Sequence, residues 1–87
     1  MTQELSARFE AASQAAKQLP SRPANDDMLE LYALYKQGSA GDCTGSRPGI
    51  LDFVGGAKFD AWSALSGTSE EEAKLRYIAK VEALQRG

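Results

Sequence analysis

Histidine is absent from this 87-residue sequence, and with it go the commonest general base and the commonest metal ligand. Cysteine occurs once, at Cys43, so no intrachain disulfide and no metal site built on cysteine pairs can form, which fits a reducing, intracellular setting. No run of about 18 apolar residues is present and the N-terminus lacks a basic region followed by an apolar stretch, so neither a membrane span nor a signal peptide is expected. A single charge sign does not dominate either. Ten basic residues are scattered among twelve acidic ones for a net charge of −2, which argues against the basic footprint of a duplex nucleic-acid binder. What is there is ordinary globular usage, 43% hydrophobic and 25% charged, in a length that suits one domain (residues 1–87) with one modest core.

Four segments carry helical periodicity. Leu5, Phe9, Ala12, Ala16 and Leu19 recur at spacings of three and four, one narrow stripe at about 100° per residue, and Pro20 and Pro23 then end the first helix. Asn25 is the expected N-cap of the second, with Asp26 and Asp27 in the first turn where exposed amides favour negative charge, and Gly38 and Gly41 mark its end. From Gly38 to Gly56 lie six of the eight glycines, together with Arg47-Pro48-Gly49, the sequence of a type II turn. This stretch is expected to be one long loop. Ile50 to Val54 is its only plausible extended run, and Asp52 interrupts it. A short third helix is expected from about Gly56 to Leu65, with Phe59, Trp62 and Leu65 on a core-facing row, ended by Gly67. Thr68 or Ser69 opens the fourth, each followed three residues later by a glutamate in the pattern of a capping box, and Ala73, Tyr77, Ile78, Val81 and Leu84 share its inner arc. The sum is an all-α bundle of four helices.

The second helix poses the functional question. At helical pitch Leu31, Tyr35, Met28, Tyr32, Lys36 and Leu29 fall on one arc, with Glu30, Ala33, Leu34 and Gln37 opposite, so two phenols and an ammonium sit on the face that reads as the packing stripe. One explanation is structural: the tyrosines pack with wet hydroxyls, and the lysine stem covers them while its head reaches water. The other is chemical. Phenols and an ammonium match a phosphorylated aromatic ligand, with lysine on phosphate, hydroxyl as donor and ring face against a base, and a purine nucleotide has all of these features. Lys58 and Tyr77 are the candidates to contribute from the third and fourth helices. The remaining chemistry is weak: Cys43 has no histidine to activate it, Asp52 and Asp60 have no reason to meet, and Glu70 to Glu72 read as helix-start electrostatics.

Three stretches, PANDDMLELYALYKQGSAGD at 23–42, RPGILDFVGGAKFDAW at 47–62 and GTSEEEAKLRYIAKVEAL at 67–84, resemble the acyl-CoA-binding protein family in order, spacing and residue type. The resemblance implies an up-down-down-up four-helix bundle with a long connection between the second and third helices. It further implies reversible binding of long-chain fatty acyl-CoA, with no catalysis and no cofactor, by a cytoplasmic monomer that makes transient contact with acyl-CoA-using enzymes or membranes. Lys36 and Lys58 match the residues that neutralise the ribose 3′-phosphate, Tyr32 the one whose hydroxyl donates to it, Tyr35 the ring that stacks on adenine, and Tyr77 the one that flanks the nucleotide. Lys17 matches a basic position near the ligand, and Met28 and Leu29 match apolar residues along the acyl chain. Three positions depart from the family pattern: Gly38, expected to loosen the end of the second helix, and Val54 and Gly56, which stand where lysine is common and thin the positive potential. A helical protein-interaction module is the alternative, against which two ammonium groups beside three phenols count.

Overall fold

The computed structural model describes residues 2–87, which form four α-helices: α1 (Thr2–Ala16), α2 (Asn25–Ala40), α3 (Phe53–Ser63) and α4 (Glu70–Arg86). The described residues contain no strand, and the all-α four-helix bundle with its long α2–α3 connection is as the sequence leads one to expect. The central pair is α2 and α4; α1 lies along α4 and α3 along α2. The core is Phe9 from α1, Leu31 and Leu34 from α2, and Tyr77, Ile78 and Val81 from α4, all buried, with Leu5, Ala12, Leu65 and Leu84 packed around them.

Helix ends depart from expectation for local reasons. Helix α1 stops at Ala16, short of Leu19, and unwinds through tight bonds from Lys17 N to Gln14 O and Gln18 N to Ala15 O, because Pro20 disfavours helical geometry at the residue before it. Asn25 is not the N-cap of α2. That position is Ala24, whose side chain can accept nothing, while Asn25 Oδ1 accepts from Arg22 Nη1 at 3.4 Å. Gly38 does not loosen α2: it is buried inside the helix, where an added Cβ would lie 3.2 Å from both the Phe9 ring and the Lys74 stem, so the missing side chain lets α1 and α4 approach. The helix ends at Ala40, and its C-cap Gly41 takes a positive φ of 83° that glycine tolerates.

Helix α3 begins at Phe53, three residues ahead of Gly56. Asp52 is its N-cap, with Oδ1 accepting from Gly55 N at 2.8 Å, so the residue that interrupts the apolar run is the one that starts the helix. Gly49 lacks the positive φ that a type II turn at Arg47-Pro48-Gly49 requires; the turn falls two residues later, closed by Asp52 N donating to Gly49 O. Ser69 caps α4 as expected, accepting from Glu72 N at 3.0 Å, but the Glu72 carboxylate turns away to Arg76, so only half of the capping box forms. Lys80 ties α4 to the start of α2 through Asp27 at 2.6 Å and Glu30 at 3.2 Å.

Candidate functional site

Leu31 apart, the face of α2 that the helical projection assigns to packing is not its core face. Leu31, Ala33, Leu34, Gln37 and Gly38 are the buried residues, whereas Met28 and Tyr35 remain about 40% exposed and Tyr32 and Lys36 are half-buried. Both arcs are apolar enough to serve; α4, joined by the Phe9 ring of α1, closes over one and leaves the other as the wall of two grooves.

The first groove, of about 570 Å³, runs between α1, α2 and α4 and is lined by Ser13, Gln14, Lys17, Met28, Tyr32, Tyr35 and Tyr77, with Glu10 at its edge. Its Tyr35 and Tyr77 pack against each other and against Phe9. Phe9 stacks on Tyr35 with ring centres 5.2 Å apart and meets Tyr77 edge-on at 5.2 Å, and Tyr35 and Tyr77 lie 5.8 Å apart. One face of Tyr35 is thereby taken by Phe9 while much of its ring stays open to solvent, the geometry of a stacking platform. Burial pushes the Tyr77 phenol above its ordinary range, helped by Tyr35 and the Glu10 carboxylate, so it stays a neutral hydrogen-bonding group at physiological pH.

The second groove, of about 580 Å³, runs between α2 and α3 and is lined by Arg22, Asn25, Met28, Leu29, Tyr32, Phe53, Val54, Ala57 and Lys58. Lys58 lies with its ammonium 5.1 Å from the centre of the Tyr32 ring. Met28 and Tyr32 line both grooves and form the ridge between them. Lys36 lines neither; one turn beyond Tyr32, its ammonium sits 5.0 Å from the centre of the Trp62 ring. Of the eight residues the resemblance singles out, seven therefore line one or both grooves, and Lys36 stands beside the α2–α3 junction.

The comparisons with known proteins bear on this arrangement. A family model described as acyl-CoA-binding protein matches residues 6–81. A homologue from Manduca sexta, named an acyl-CoA-binding protein homolog, is 52% identical over 81 residues, covering 92% of this chain and 90% of the relative. The acyl-CoA-binding protein of Dictyostelium discoideum is 49% identical over 76 residues, 87% of this chain and 90% of the relative. Among solved structures, the crystal structure of Oryza sativa Acyl-CoA-Binding Protein 2 superposes with a TM-score of 0.90 at 45% identity, over 94% of this chain and 91% of that one. The chain belongs to the acyl-CoA-binding protein family.

Every residue of both grooves falls within the span the family model matches. Several groove residues escape sequence reasoning. Phe53 and Ala57 share a face with Lys58 only once α3 is known to start at Phe53, and Ser13 is a buried polar residue whose Oγ donates back to Glu10 O at 2.7 Å. Trp62, expected on a core-facing row, donates from its indole nitrogen to Gly41 O at 2.9 Å. Gly56 leaves room for a cation: the Arg47 guanidinium lies where its Cβ would be and bridges Asp60 through two bonds, at 2.9 and 3.0 Å. That bridge holds the Asp60 carboxyl below the usual range, and Asp52, occupied as a cap, takes no part in it.

Proposed function

We propose that the chain is a single acyl-CoA-binding domain that carries long-chain fatty acyl-CoA esters in the cytoplasm, without catalysis, and exchanges them transiently with membranes and with enzymes that use them. The observation that carries this reading is the pair of grooves meeting at the Met28–Tyr32 ridge, one floored by phenols and the other walled by aliphatic side chains. A long-chain acyl-CoA has two ends with opposite solvation. Its tail gains about 0.8 kcal/mol per buried methylene, while its phosphates need cations or water. In this reading the adenine lies on Tyr35 beside Tyr77 and Lys17, and the ribose 3′-phosphate takes the Tyr32 hydroxyl with Lys36 and Lys58. The acyl chain follows Met28 and Leu29 into the groove walled by Val54 and Ala57. No bond is made or broken, so release is the reverse of binding.

Isothermal titration with palmitoyl-CoA, free CoA and free palmitate tests it. The ester is expected to bind far more tightly than either half, because each half leaves one groove empty; palmitate binding as tightly as the ester would show that the phosphate contacts are idle. Lys36→Ala is expected to weaken palmitoyl-CoA binding by at least tenfold, as loss of a charged phosphate partner does, while costing stability no more than the roughly 0.5–1 kcal/mol of its contact with Trp62. If the variant instead loses stability and keeps its affinity, Lys36 is a packing residue.

A further inference from the structure

We propose that the tip formed by Ile50, Leu51, Phe53 and Val54 docks on a lipid bilayer, with the mouth of the second groove turned toward the membrane. The proposal rests on the carrier reading and identifies the surface through which ligand enters and leaves. Four large apolar side chains within five residues stand 83%, 85%, 77% and 67% exposed, in a chain whose other large hydrophobic residues are mostly packed. A contiguous apolar patch of this kind in a small protein marks a contact surface. Asp52, which sits among them, does not spoil it, because its carboxylate is turned back onto Gly55 N as the cap of α3. The turn closed by Asp52 N on Gly49 O presents Ile50 and Leu51 at its apex.

Two observations select lipid over a protein partner. Phe53 and Val54 belong both to the exposed tip and to the wall of the second groove, so the patch is continuous with the apolar trough that would hold an acyl chain. A tip seated at the headgroup–acyl boundary lets that chain pass between bilayer and groove without crossing water. The groove is also rimmed by Arg22 and Lys58, and neither is in an ion pair among the described residues, which complements anionic headgroup phosphates although the chain as a whole is acidic.

The test is co-sedimentation with sucrose-loaded vesicles of phosphatidylcholine and phosphatidylglycerol. It compares the native chain with Ile50→Asp/Leu51→Asp, two positions that line neither groove, with palmitoyl-CoA titration run in parallel. The native chain is expected to pellet with the vesicles, and the double variant to partition at least about tenfold less, since binding of this kind scales with the apolar area inserted. Palmitoyl-CoA affinity of the variant should stay within about twofold of the native value, because the substituted side chains line neither groove. A native chain that remains in the supernatant while still binding palmitoyl-CoA, or a double variant that pellets as well as the native chain, overturns the docking tip alone. A flat palmitoyl-CoA titration of the native chain overturns the carrier reading and the proposal with it. Sedimentation velocity that finds a native dimer dissolved by the double substitution would assign the patch to a second copy and also overturn the proposal.

Discussion

Gln37 is fully buried, and its amide is aimed by two acceptors: Nε2 donates to Asp42 Oδ1 at 2.8 Å and to Thr68 O at 2.7 Å, while Oε1 has no partner. The reversed amide would set its oxygen against two acceptors, so the orientation is fixed by its surroundings. One side chain thus ties the last turn of α2 to both the loop that follows it and the turn before α4. Truncation in Gln37→Ala removes two hydrogen bonds, strands the Thr68 carbonyl and opens a cavity, and is expected to cost about 2–4 kcal/mol by urea denaturation. Gln37→Leu keeps most of the volume and deletes the orphaned oxygen, so it should fall between the native chain and the alanine variant. Equal losses for the two would assign the whole effect to hydrogen bonding. Nothing in the sequence announces this role, since the projection of α2 sets Gln37 with Glu30 on the side opposite the arc read as packing. A glutamine earns a buried place only through partners 5 and 31 residues away, which local periodicity does not contain.

At the scale of the elements, the α2–α3 connection is held at its start by a clamp on Asp42, whose Oδ1 accepts from Gly67 N at 2.9 Å as well as from Gln37. Those bonds, the backbone one foremost, keep the Asp42 carboxyl below its ordinary range. A carboxylate depressed in the folded state stabilises the fold above its unfolded pKa of about 3.9, and that contribution is lost as pH falls through the lower folded value. Native stability measured by urea titration should therefore decline below about pH 4, and Asp42→Asn should be less stable at neutral pH with a shallower acid decline. Identical acid profiles for the two would show that the clamp carries no charge-dependent stability. Because Gln37 and Asp42 share a bond, the double variant Gln37→Ala/Asp42→Asn should lose less than the sum of its parts. Element boundaries were the least legible part of the sequence for a related reason. The starts of α2 and α3 depend on which side chain reaches which amide: Asp52 reads as a strand breaker until its bond to Gly55 N makes it a cap, and Asn25 reads as a cap until Arg22 engages it.

The whole molecule is thin, with extents of 37 × 30 × 15 Å, so its core is a single layer of contacts between α2, α4 and α1, and the grooves lie at its surface. The number and order of helices are legible because each carries its own periodicity and its own stop, whereas the faces of the central helix are not. On α2 the core arc and the groove arc are both apolar, and only the seating of α1 and α4 separates them. A thin bundle of 87 residues has little stability in reserve, so a ligand that fills both grooves contributes a large fraction of the total. Palmitoyl-CoA held at a hundred times its dissociation constant should stabilise the fold by about 2.7 kcal/mol, which for a domain of this size raises Tm by roughly 10 °C or more. Free CoA and free palmitate at the same concentration should shift Tm far less, since each engages one side of the Met28–Tyr32 ridge. A shift from palmitate matching that from the ester would mean that the phenol-floored groove adds nothing to ligand-bound stability, and that the two grooves do not act on one ligand.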